Sequence, residues 1–217
     1  MKKYKYTIYD VETGGVHPKE DALMSLAMLN IDEKGRPYPG EKDHFYIKND
    51  NNRIIGSVAL KINGLDPKEV EKTGMSLKEA RAHWDKLTKG VDGFIAHNIA
   101  FDAQMLFYNG FTVPYSDYTL DTMNVAWDFW GPRDDYGNLV SAKLADCYKR
   151  ITGKEPADAH DALYDCLMVA RLIHYFWKFG IFNGPLPLYP VYFRGKRDYF
   201  YGYGELLSAK FPGGKLP

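Results

Sequence analysis

The sequence predicts an α/β domain of three layers, with helices on both faces of a mixed central sheet, and three observations carry that expectation. The chain opens on an alternation: Tyr4, Tyr6, Ile8, Asp10 and Glu12 share one parity, and a strand sends alternate side chains to one face. Two more strand-like stretches follow with turn chemistry between them, an antiparallel hairpin extension of the first strand. Beyond residue 66, capped helices alternate with short apolar strands, the pattern of βα units in a sheet covered on both sides. In such sheets ligands collect at the carboxyl ends of the strands.

The second strand is expected over Leu23 to Ile31, the turn at Asp32-Glu33-Lys34-Gly35, and the third strand over His44 to Lys48. Asp66-Pro67-Lys68-Glu69 supplies a cap, a proline at the first helical position and an early acid, and Gly74 ends that short helix. Ser76-Leu77-Lys78-Glu79 is a capping box opening a helix whose apolar stripe is Leu77, Ala80, Trp84 and Leu87. Gly93 to His97 reads as a short apolar strand, with Asn98 placed to cap a helix running to Tyr108 and Asn109-Gly110 closing it. Tyr118 to Leu120 is the next strand, giving way at Asp121-Thr122 to a helix reaching about Trp130. After a polar loop, Gly131 to Leu139, Ser141 is placed to cap a helix through Arg150. His160 begins the last long helix, apolar at Leu163, Leu167, Ala170 and Ile173. No internal repeat is visible.

Bulk properties narrow the function. With 217 residues, 45% hydrophobic and 15% aromatic, the chain makes one domain with a substantial core. No apolar run reaches membrane-spanning length, and Met1-Lys2-Lys3-Tyr4-Lys5-Tyr6 runs into a strand rather than a signal-peptide core, so no membrane partner is expected. Cys147 and Cys166 fall within helical patterns and read as reduced core thiols, which points to a reducing, cytoplasmic setting. Twenty-eight basic residues balance twenty-eight acidic ones. The absence of a global basic field argues against tight binding along a long duplex and leaves room for a local basic groove.

The carboxylates carry the chemistry. The face of the first strand that begins with aromatic and aliphatic bulk ends in Asp10 and Glu12, and two buried carboxylates side by side repel each other. Asp102 falls in the first turn after the strand Gly93 to His97. Asp165 lies in the last long helix, five residues after His160. Four carboxylates at one sheet edge suit hard divalent cations, since Mg²⁺ and Mn²⁺ prefer oxygen ligands. Two such ions about 3.5–4 Å apart suit in-line displacement at phosphorus, one activating water and the other steadying the leaving oxygen.

Three motifs complete the reading. Asp10-Val11-Glu12-Thr13-Gly14, His97-Asn98-Ile99-Ala100-Phe101-Asp102 and Ala159-His160-Asp161-Ala162-Leu163-Tyr164-Asp165 resemble those of the DEDDh 3′→5′ exonucleases. That superfamily includes polymerase proofreading subunits, ribonuclease T and oligoribonuclease, on a ribonuclease H-like fold. The resemblance covers about residues 4–178, with the motifs in order. His160, with four residues between it and Asp165, matches the histidine branch; the tyrosine branch would need a tyrosine at the position of Asp161. The resemblance implies that Asp10, Glu12, Asp102 and Asp165 hold two Mg²⁺ ions, with Mn²⁺ as a substitute. It implies that His160 is the general base, a task suited to an imidazole with an ordinary pKa of about 6.5. Thr13 and Gly14 would lie under the terminal nucleotide, and His97, Asn98 and Phe101 would line the same junction.

The function so implied is metal-dependent removal of nucleoside monophosphates from single-stranded or frayed 3′ ends of DNA, or of RNA. A proofreading subunit bound to a polymerase keeps the chemistry and changes the setting, and a catalytically inactive nucleic-acid-binding module is the alternative from another class. A polymerase or a second copy of the chain stands open as partner. Residues 1–179 form the expected exonuclease domain. Residues 180–217 form an aromatic, proline- and glycine-rich arm. Such an arm either buries its rings on the domain, or guides a single strand with Arg194, Lys196, Arg197 and neighbouring tyrosines.

Overall fold

The sheet is built outward from its first strand, β1, Tyr6–Thr13. The computed structural model describes residues 3–112, 118–131, 135–137, 140–157 and 161–190. β1 pairs antiparallel with β2, Leu23–Ile31, in a register that sets Asp10 against Ala27 and Glu12 against Ser25. β2 in turn pairs antiparallel with β3, Pro37–Tyr46, completing the expected hairpin extension. On its other side β1 runs parallel to β4, Gly93–Ala96, and β4 runs parallel to β5, Tyr118–Asp121. A two-residue strand, β6, Tyr189–Pro190, closes the far edge antiparallel to β5. The strand order is β3-β2-β1-β4-β5-β6.

The period-2 pattern of β1 sorts its side chains onto two cores. Tyr6 and Ile8, with Ala27, Leu29 and Ile31 of β2, face the long helix α7, Ala162–Lys178, and pack on Cys166, Val169 and Ile173. Tyr9 and Val11 face the opposite way and join Trp84 and Leu77 of α3, Leu77–Leu87, and Met105 and Leu106 of α4, Ile99–Tyr108. α5, Thr122–Trp130, and α6, Leu144–Thr152, cover the α7 side. All nine residues of β2 are buried because both faces are covered. Every strand that carries the site is thereby clamped between two layers, and only the strand ends are open.

Several boundaries differ from the sequence reading. β3 begins at Pro37 rather than His44, since an edge strand tolerates prolines that an interior strand would reject. Ser141 does not cap α6, whose N-cap is Lys143 with no side-chain bond. The Ser141 hydroxyl instead lies 3.3 Å from Met123 Sδ. A helix that the sequence reading lacked, α1, Ser57–Asn63, precedes α2, Pro67–Thr73. The last helix is capped by Asp161, whose carboxylate accepts from Tyr164 N at 2.8 Å. Past α7, Ile181, Phe182 and Leu186 are buried against Phe176 and its neighbours. The expectations placed on Arg194, Lys196 and Arg197 lie outside the described residues.

Candidate active site

β1 overruns its parallel neighbour. It pairs with β4 only as far as Ile8 opposite Ile95, so Asp10 and Glu12 project from an open strand end on the α7 side. Asp161 fixes where α7 begins, and one turn later the helix returns Asp165 to that strand end. Ligand oxygens of Asp10, Glu12 and Asp165 lie within 4.8 Å of one another. Asp102 reaches the same strand from α4: its Oδ1 accepts the Val11 N–H at 3.2 Å, and the residue is only 4% exposed. Three distant segments therefore bring four carboxylates to one strand end.

Their electrostatics show what is needed there. Burial pushes the Glu12 carboxyl up to about 8, with Asp165, Asp102 and Asp161 adding repulsion. Asp102 is raised to about 8, again by burial first, against the opposing pull of backbone hydrogen bonds. Asp10 is raised well above the usual range by burial and then by Asp102, Asp165 and Glu12. Neither Asp10 nor Glu12 forms an ion pair with a lysine or arginine among the described residues. An all-oxygen donor set of this density fits a hard divalent cation, which supplies the positive charge missing from the chain.

Beside the acids lies a groove of about 570 Å³ lined by Glu12, Thr13, Gly14, Val58, Ile62 and Phe101 among others. Its outer wall is α1, absent from the sequence reading, which holds Val58 and Ile62 at 69% and 57% exposure. Thr13 turns its hydroxyl inward to Gly15 O at 2.7 Å. The glycine at position 14 answers a need inside the protein. A Cβ there would sit 2.4 Å from Ile54 O and 2.9 Å from Ile55 Cα, so only glycine lets the segment leading into α1 cross so closely. Gly56 N then donates to Gly14 O at 2.7 Å and ties α1 to the site.

The remaining expected residues divide. Phe101 is half-buried and lines the groove. Asn98 stands at the N-cap of α4, but its backbone is left-handed, φ 76, and its side chain makes no capping bond. That side chain is exposed. His97 has both ring nitrogens engaged by the chain, with Nδ1 3.0 Å from Thr122 Oγ1 and Nε2 2.6 Å from Ala142 O. Burial lowers its pKa to about 4. His160 lies outside the described residues. What the sequence reading left out is Asp121, which the structure sets against the backbone at Asn98; its place at the end of a strand on the same sheet edge was the available signal.

Comparison with known proteins agrees with this geometry. The family model described as RNase_T, Exonuclease, matches residues 7–173. Ribonuclease T of Haemophilus ducreyi is 30% identical over 196 residues, covering 79% of this chain and 88% of the relative. Ribonuclease T of Haemophilus influenzae is 31% identical over 191 residues, covering 81% and 80%. Among solved structures, E. coli Exonuclease I in complex with a dT13 oligonucleotide aligns with a TM-score of 0.67 at 22% identity, over 80% of this chain. This chain spans 41% of that longer one, and the likeness establishes the ribonuclease H-like fold. With the motifs in sequence order, the acids gathered at one strand end and the family match spanning most of its length, the chain is a member of the DEDDh-type exonuclease family.

Proposed function

We propose that this protein removes nucleoside monophosphates one at a time from single-stranded 3′ ends by metal-dependent hydrolysis. The observation that carries the reading is the convergence of Asp10, Glu12 and Asp165 within 4.8 Å, with Asp102 hydrogen-bonded to the strand between them. Two Mg²⁺ ions, or Mn²⁺ in their place, would be held by these four acids and would supply the charge that activates water and steadies the leaving oxygen. The chain's own residues do the rest. His160 takes the proton of the attacking water. The groove beside Glu12 receives the terminal nucleotide, with Phe101, Val58 and Ile62 against the base and Thr13 and Gly14 beneath the sugar. Asn98 offers its exposed amide to the same nucleotide. A volume of about 570 Å³ suits a single nucleotide and falls within the usual range of ligand pockets.

The relatives' names include both a ribonuclease and an exodeoxyribonuclease, so the sugar preference is part of the test. A 5′-labelled single-stranded DNA, the matched RNA and a duplex with a mismatched 3′ end are incubated with and without Mg²⁺. A ladder shortening from the 3′ end is expected on the single strands and at the mismatch. Asp10→Asn is expected to abolish it while the protein stays folded. Full activity of Asp10→Asn, or of the parent in excess chelator, would overturn the reading.

A further inference from the structure

Asp102 can serve the site only if the first turn of α4 is held in place, and the helix does not do this for itself. The Asn98 side chain makes no capping bond, which leaves the first N–H groups of α4 to find acceptors elsewhere. They find one on another strand. Asp121, opposite Ala96 in the parallel register, accepts the Asn98 N–H at 3.0 Å and the Met123 N–H at 2.9 Å through Oδ1. Its carboxylate also takes backbone N–H groups of Ile99 and Asn124. The next residue, Thr122, is fully buried, with Oγ1 3.0 Å from His97 Nδ1 and 3.3 Å from Ala96 O. The Ala142 carbonyl only accepts, so His97 Nε2 carries the proton and Nδ1 receives the Thr122 hydroxyl.

Residues 97, 98 and 99 are thus each held by a single dipeptide at the end of β5. Asp102 is the fourth residue of the helix that starts there. Keeping Asp121 buried beside this set has a cost, because it lies close enough to add repulsion to Asp102. A neutral cap such as serine would satisfy α5 alone without that cost. We infer that Asp121 and Thr122 are positioning residues: they fix the left-handed turn at Asn98 and so hold Asp102 in its place among the acids. The inference rests on the proposed metal-dependent reading of the site.

The test uses Asp121→Asn, Thr122→Val and Thr122→Ser in the full chain. It follows kcat and KM on a 5′-labelled single-stranded oligonucleotide, Mn²⁺ binding by calorimetry, and melting temperature. Asn keeps the oxygen and turns an amide donor toward two of the four N–H groups. It is expected to lower kcat and weaken Mn²⁺ binding by about tenfold each, the usual scale for groups that orient metal ligands, with KM little changed. Thr122→Val is expected to move the same two quantities in the same direction, and Thr122→Ser to restore both. Should Asp121→Asn fail to fold, the Thr122 pair decides by the same readouts. Variants that melt earlier yet keep the parent's kcat and Mn²⁺ binding per folded molecule would overturn the inference and leave the proposed function standing. A parent that neither cleaves nor binds Mn²⁺ would remove the reading on which it rests.

Discussion

At Asn98 the backbone occupies a conformation that costs an ordinary residue about 1–2 kcal/mol, at a position flanked by a buried strand and the helix that carries Asp102. Asparagine tolerates it better than most, but glycine would hold it at no steric cost. Asn98→Gly is therefore expected to melt no lower than the parent and to lose activity, because it removes only the exposed amide. Full activity in that variant would confine Asn98 to a backbone role. The acids themselves give a second prediction. Glu12 and Asp102, raised by burial to about 8, keep protons in the folded chain that they release when unfolded near pH 4 to 4.5. Stability from that difference is complete below the unfolded pKa and is lost as pH rises through about 8. In chelator the melting temperature is expected to fall between about pH 6 and 8, and saturating Mg²⁺ to flatten or reverse that fall by binding the ionised acids. A chelated protein whose melting temperature rises over this interval would contradict the electrostatic picture of the site.

Elements differ in how far local sequence specifies them. β2 has the limits its hydrophobic run indicates, and the Ser76–Glu79 capping box forms as read, because the signals for both are local. Asp10, Glu12 and Asp165 were legible because strand parity and helix spacing fix where their side chains go. The α1 helix was not: it has a glycine N-cap with no side-chain bond and no buried residue, so neither cap nor periodicity announces it. Its position comes from the Gly56–Gly14 hydrogen bond, a contact between segments about forty residues apart in the chain. The same holds for Asp121, whose partners lie on another strand. Since Val58 and Ile62 face solvent, replacing both with serine is expected to change stability by no more than about 0.5 kcal/mol per site. In the proposed function the same change raises KM for a single-stranded oligonucleotide while kcat changes less. An unaltered KM would show that the terminal base does not lean on α1.

For the whole molecule, 28 cationic residues balance 28 anionic ones, and some of them meet in pairs such as Lys5–Glu41, Arg36–Asp32 and Lys149–Glu155. Exposed pairs of this kind contribute little to stability, and they cancel one another's fields beyond about a Debye length of 8–10 Å. The acids at the strand end, which hold protons in the metal-free chain, offer phosphate no positive charge until a divalent cation is bound. Binding of a single strand should therefore depend steeply on the cation and weakly on monovalent salt. With two or three phosphates neutralised by the chain, the slope of log K against log salt is expected near −1.4 to −2.1, a loss of about tenfold between 50 and 200 mM salt. Fluorescence anisotropy of a labelled oligonucleotide with Asp10→Asn, in the presence of a fixed Mg²⁺ concentration, measures this without cleavage. A loss of a thousandfold over the same range would mean about seven or more phosphate contacts, and so an extended basic track along the strand.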